Sequence, residues 1–218
     1  MNYEQWLEER KYGIGGSECS AILGINPWMT NAELWEYKTG AKQHADISDK
    51  ARVHYGKEVE RHLIEIFKLD YPEYEVIHNE YDLRRCQEYP FIFGSLDSDL
   101  IEKETGRKGI LEVKSSLILN SNEWEKWNNK IPEYYYSQLV HYFIVNPDKE
   151  FAILKAQLTT EKYTDDDFRQ VTHITRHYLF EKNEAFKEDI EYLKNEEINF
   201  WNNYVLTNKR PPLKMTQI

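Results

Sequence analysis

Hydrophobic positions in the first third of the chain fall into short helical clusters cut by turn residues. Residues 3–10 read as a short helix, after which Gly13, Gly15 and Gly16 make a turn ending at Ser17. Residues 18–23 read as the next helix, stopped at Gly24. Beyond the Asn26-Pro27 break, residues 31–37 read as another, with Thr30 as N-cap and Gly40 as stop. Between residues 51 and 69 the apolar positions Val59, Leu63, Ile66 and Phe67 recur at helical spacing, which predicts one helix with a buried side.

The middle of the chain changes character. Residues 74–83, 91–101 and 110–115 are short and rich in aromatic and β-branched side chains, with Glu88-Tyr89-Pro90 and Thr105-Gly106 as the turns between them. They read as strands that neighbour one another antiparallel. A helix over about 132–145, with Pro132 in its first turn, a strand over 151–158 and a long helix over about 165–204 complete the pattern. This order predicts an α/β fold, a mixed central sheet flanked by helices.

The chain has 218 residues with no internal repeat, low-complexity tract or Gly/Ser linker, so residues 1–218 are expected to form one domain. An apolar fraction of 40% with 14% aromatic residues is enough to build a core and excludes wholesale disorder. No apolar run approaches the ~18 residues of a membrane span, and the first residues lack the basic-then-apolar order of a signal peptide; a soluble, cytoplasmic protein is the expectation. Cys19 and Cys86, the two cysteines, cannot alone form a disulfide framework or a four-cysteine metal site. A net charge of −10 argues against a general polyanion-coating surface. It leaves room for a nucleic acid held by a local basic lining or by divalent metals.

The strongest local signal is a pair of strands, Phe91-Ile-Phe-Gly-Ser-Leu-Asp97 and Gly109-Ile-Leu-Glu112-Val-Lys114-Ser. Period-two geometry sends Glu112 and Lys114 to the same face, and that face cannot be plain core. Asp97, near the end of the neighbouring strand, is the obvious third member. Two carboxylates and a lysine in one cleft suit a hard divalent cation and an activated water. A structural ion pair is the plainer alternative. Glu58 lies at the margin of its helix's apolar side, where it points into a cleft or into water.

Several motifs together carry a resemblance. Gly13-Ile-Gly-Gly-Ser17-Glu-Cys-Ser-Ala-Ile-Leu-Gly24-Ile-Asn-Pro-Trp28, Glu33-Leu-Trp35, Lys38-Thr-Gly40, Gly56-Lys-Glu58, Gly94-Ser95-Leu-Asp97, Leu111-Glu112-Val-Lys114 and Tyr135-Tyr-Ser-Gln138 follow one another in order. This series, over about residues 10–145, resembles the YqaJ-type viral recombinase family, phage exonucleases similar to lambda exonuclease within the PD-(D/E)XK nuclease superfamily. The resemblance implies a restriction-endonuclease-like core and a metal-dependent 5′-to-3′ exonuclease acting on the ends of linear double-stranded DNA. It implies that Asp97 and Glu112 bind the catalytic Mg²⁺, with Mn²⁺ able to substitute, that Lys114 is the catalytic lysine, and that Glu58 adds a carboxylate. Gln138, with Tyr135 one turn earlier on the same helix face, would close the site. Arg10 and Ser17, assisted by Ser95, would anchor a 5′-phosphate, in keeping with a glycine turn that exposes backbone N–H groups beside an arginine. The resemblance further implies a ring-shaped homo-oligomer, a trimer, and a single-strand annealing protein as partner.

There are departures. Ser98 stands where the family often has glycine, and residues 115–121 contain no arginine. His54 and His141 belong to no two-histidine metal pattern and read as polar edge residues. Trp124 and Trp127 read either as base-stacking or as packing residues. Phe168, Val171, Ile174, Phe186, Ile190 and Leu193 read as the packed side of the C-terminal helix. An endonuclease of the same superfamily and a non-catalytic DNA-end-binding protein are the competing readings; the intact Asp97, Glu112 and Lys114 speak against the second.

Overall fold

The structure is a computed structural model that describes residues 1–43 and 50–214. Among the described residues four α-helices come first: α1 (Tyr3–Glu9), followed directly by a 3-10 turn (Arg10–Tyr12), α2 (Cys19–Leu23), α3 (Asn31–Lys38) and α4 (Ala51–Asp70). Local chemistry explains their ends. Thr30 and Glu33 form a reciprocal capping box at the start of α3, and Gly24 closes α2 in the left-handed conformation, φ 78°.

The strands are β1 (Tyr74–Ile77), β2 (Arg84–Arg85), β3 (Phe93–Gly94), β4 (Ser98–Glu102), β5 (Lys108–Leu117), β6 (Phe151–Tyr163) and β7 (Arg169–Glu181). Five of them form one sheet in the order β1-β4-β5-β6-β7, and β2 and β3 pair separately. The β5–β6 pair is parallel and the other pairs of this sheet are antiparallel. Parallel pairing requires a crossover, which α5 (Ser121–Glu125) and α6 (Glu133–Val145) supply, and α7 (Glu184–Phe200) follows β7. The expected mixed sheet flanked by helices is therefore the observed fold.

Alternation along β5 and β6 splits the core in two. Ile110, Ala152, Leu154, Ala156 and Leu158 pack with α6 and α7, whereas Leu111, Val113, Phe151 and Ile153 pack with Leu63, Ile64 and Phe67 of α4. The buried side of α4 is thus rotated from the expected stripe: Ile64 is inside and Ile66 is 45% exposed.

Three further expectations change. The strand expected over 91–101 is two short ones, β3 and β4, with Asp97 in the gap between them. Pro132 caps α6 from outside rather than occupying its first turn. The helix expected from residue 165 begins only at Glu184, because residues 169–181 are β7. Phe168, Val171 and Ile174 are consequently exposed, while Phe186, Ile190 and Leu193 are buried as expected.

Candidate active site

The site grows from β5. Ile110, Glu112 and Lys114 share the face toward α6; Ile110 packs in the core, whereas Glu112 and Lys114 line a cleft. Asp97 is brought alongside by the backbone: its Oδ2 accepts the Val113 N–H at 2.7 Å. Lys114 Nζ donates to Glu112 Oε1 at 2.5 Å and lies 5.1 Å from the centre of the Tyr135 ring. From α6, Gln138 Nε2 donates to the same Glu112 oxygen at 2.8 Å and to the Tyr142 hydroxyl at 2.6 Å.

Glu112 is 1% exposed, and its Oε2 is buried with no hydrogen-bond partner among the described residues. A carboxylate so placed is costly unless a cation or a proton joins it. Burial, reinforced by the charge of Asp97, pushes its pKa up to about 8. Burial also raises Asp97, against the opposing influence of Lys114 and the Val113 N–H. The Lys114 ammonium is desolvated, yet Glu112 and Asp97 hold its pKa above the usual lysine value.

A third carboxylate joins from α4. Glu60 is half-buried on the sheet-facing side of the helix, and burial together with the Asp97 charge raises its pKa to about 7. Glu58 lines the same cleft but is exposed. Glu60 was not anticipated from sequence; it is in register with Leu63, Ile64 and Phe67, and the rotated stripe of α4 is the signal that could have found it. Tyr142, one turn after Gln138, was missed as well.

At the other end of the cleft, an Arg10 guanidinium N–H donates to Ser17 Oγ at 3.4 Å, and the group lies 4.4 Å from the Trp6 ring centre. Trp6 Nε1 donates to Ser95 Oγ at 2.9 Å, so Arg10, Ser17 and Ser95 form one polar corner. The glycine turn is not wholly open: Glu18 accepts the Gly15 N–H at 2.8 Å and pairs with Lys38, also at 2.8 Å. Tyr3, Trp6 and Tyr81 gather at the mouth with ring centres 5.5–6.1 Å apart. The cleft encloses roughly 750 Å³ and is bordered by Arg10, Lys57, Arg61 and Lys114 as well as by the acids.

Other expected positions resolve differently. Trp127 is buried and Trp124 packs against the same core, so both are packing residues. His54 is exposed, whereas His141, expected at an edge, is fully buried. Cys19, His141 and Glu197 form a group with potential ligand atoms within 4.8 Å of one another.

The residues at Asp97 fit a divalent cation. They are hard oxygen donors, one carboxylate oxygen is buried without a partner among the described residues, and the Asp97 charge, added to burial, raises the pKa values of both Glu112 and Glu60.

The YqaJ-like viral recombinase domain matches residues 5–162. The uncharacterized protein YqaJ of Bacillus subtilis (strain 168) is 30% identical over 214 residues, which cover 98% of this chain and 60% of that protein. The chain thus spans about 60% of the length of that curated relative. Among solved structures, LHK-Exo in complex with dAMP is similar with a TM-score of 0.61 at 16% identity, over 95% of this chain and 96% of that one. The alkaline exonuclease LHK-Exo from Laribacter hongkongensis gives 0.58 at 16% over the same shares. A phage related exonuclease from Haemophilus somnus 129PT gives 0.55 at 14%, over 90% and 96%. At such identities the likeness establishes the fold.

Proposed function

Since the chain belongs to the YqaJ-like viral recombinase family, we propose that it is an Mg²⁺-dependent exonuclease that degrades one strand of linear double-stranded DNA from the 5′ end. The observation that carries this reading is the convergence of Asp97, Glu112, Lys114 and Gln138 in a cleft whose far corner holds Arg10, Ser17 and Ser95. A nuclease role is also what the family and the exonuclease fold support.

Asp97 and Glu112, with Glu60 and the more exposed Glu58 nearby, would hold the cation, which when bound supplies an acidified water and Lewis acidity toward a phosphoryl oxygen. The Lys114 ammonium, fixed by Glu112 and seated over Tyr135, donates hydrogen bonds to the attacking water or to the charge developing on phosphate. Gln138 keeps the Glu112 carboxylate from turning. Arg10 and Ser17, helped by Ser95, bind the terminal 5′-phosphate, which places the first phosphodiester at the acids. The aromatic rings at the mouth offer faces on which bases stack. A ring-shaped homotrimer, with a basic lumen around DNA, and a single-strand annealing protein that takes up the product complete the reading.

Incubation of linear duplexes, labelled at either end and with or without 5′-phosphate, with protein and Mg²⁺ tests it. Release of mononucleotides from the 5′ end, arrest by chelator, resistance of closed circular DNA and loss of hydrolysis in folded Lys114→Ala are expected. Nicking of closed circles would favour an endonuclease, and hydrolysis surviving Lys114→Ala would overturn the mechanism.

A further inference from the structure

Behind the catalytic face lies a charged pair in full burial. His141 and Glu197 are both 0% exposed. His141 Nδ1 lies 2.7 Å from Glu197 Oε1, and its Nε2 lies 2.7 Å from the Phe93 carbonyl oxygen. A carbonyl oxygen only accepts, so Nε2 carries a hydrogen. A carboxylate oxygen at 2.7 Å from Nδ1 likewise calls for a hydrogen between them. That hydrogen belongs either to the ring or to the Glu197 carboxyl; the imidazole pKa, raised by Glu197 against the cost of burial, places it on the ring as an imidazolium. A metal fits this spacing poorly, since a nitrogen and an oxygen bound to one zinc at about 2.0–2.1 Å each would stand roughly 3.3 Å apart in tetrahedral geometry. The Cys19 thiol is turned toward the Gly16 carbonyl at 3.1 Å.

The pair joins three elements that the nuclease site depends on. His141 lies one turn after Gln138 on α6. Phe93 begins β3, four residues before Asp97. Glu197 belongs to α7, which otherwise contributes nothing to the cleft. We propose that His141 and Glu197 are positioning residues for hydrolysis: the imidazolium, held charged by Glu197, clamps α6 and α7 to the Phe93 carbonyl and thereby sets the spacing between Gln138 and the segment carrying Asp97. The proposal rests on the nuclease reading and assigns the C-terminal helix a part in it.

The groups that face His141 are Glu197 from α7, Cys19 and Glu18 beside α2, and the Phe93 carbonyl. Burial alone would lower the imidazole pKa; Glu197, followed by the Phe93 carbonyl and Glu18, outweighs it and leaves the value raised. Glu18 is itself paired with Lys38, so Glu197 is the controlling charge.

Glu197→Gln keeps the side chain's shape and an acceptor for Nδ1–H but removes the charge. In the full chain, with linear duplex and Mg²⁺, we expect kcat to fall about 10-fold, as a displacement of under 1 Å would cause, with KM for DNA ends unchanged. The alkaline limb of the kcat–pH profile should move down by about one unit, because the ring then loses its proton more easily. In the wild type, ¹⁵N-detected histidine spectra at neutral pH should show both His141 nitrogens protonated. A folded Glu197→Gln with wild-type kcat, a fall in kcat with the alkaline limb unmoved, or a neutral His141 each overturn the proposal. Should Glu197→Gln not fold, Glu197→Asp serves: lower kcat with the limb in place supports the clamp, and wild-type kcat refutes it. Absence of hydrolysis by the wild type would sink the nuclease reading itself, whereas a fully active Glu197→Gln sinks only the clamp.

Discussion

Glu60 and Glu58 separate two accounts of the acidic cluster. Both line the cleft, but Glu60 faces the sheet from the buried side of α4, close enough to Asp97 for the Asp97 charge to raise its pKa. Glu60→Gln should lower kcat by about 10- to 100-fold, the usual effect of disturbing a group beside a metal's ligands, while Glu58→Gln should stay within about threefold. The reverse ranking, measured on linear duplex at saturating Mg²⁺, would return Glu58 to the centre. A second test concerns Lys155, which is 0% exposed with an ammonium 3.6 Å from Asp70 and no hydrogen-bond partner among the described residues. Burial draws its pKa down, so at neutral pH the charged form weakens the fold. Lys155→Met should raise stability by about 1 kcal/mol in chemical denaturation. Glu112 and Lys114 were legible because alternation alone puts two charges on one strand face. Glu60 was not, since a carboxylate inside an apolar stripe reads as a boundary of the stripe until the packing partner is known.

Close packing between α2 and α6 makes the glycine turn more than a flexible link. A Cβ at Gly16 would stand 2.8 Å from Tyr142 Cε1 and 3.2 Å from Gln138 Cγ, and Tyr142 is too buried to step aside. Gly16→Ala should therefore cost about 1–3 kcal/mol of stability and lower kcat by displacing Gln138 from Glu112; unchanged kcat in the folded variant would show that Gln138 does not depend on this contact. Helices with their own caps, α2 and α3, were readable to within a residue or two, because Gly24 and Thr30 act locally. The C-terminal third was not. Asp165-Asp166-Asp167 reads as a helix start, but Asp167 adopts φ 56° and turns the chain back between β6 and β7. Val171-Thr172-His173-Ile174-Thr175 is a β-branched run, yet its exposed face lacks the apolar alternation of a half-buried strand, and pairing with β6 decides its conformation.

Acidity dominates the surface while the cleft mixes four basic side chains with the clustered acids, so a cation at Asp97 and Glu112 should couple to stability as well as to activity. The direction follows from the carboxylates. Glu112 titrates at about 8 and Glu60 at about 7 in the folded chain, against an ordinary value of 4.5. Between the unfolded and folded values the native state binds more protons than the unfolded state, so stability falls as pH rises through that window. In chelator, Tm should decline from about pH 5 to pH 8 through these groups. Mg²⁺ binds the deprotonated acids of the folded state alone and so offsets the loss. The difference in Tm between Mg²⁺ and chelator should be near zero at pH 5 and grow to at least about 2–4 °C at pH 8, the shift that ~1 kcal/mol produces in a chain of this length. Glu112→Gln should make the chelator curve shallower, leaving the part due to Glu60, and abolish the Mg²⁺ difference, since the cation needs the Glu112 carboxylate. A Mg²⁺ effect that is independent of pH, or that survives Glu112→Gln, would place the cation elsewhere.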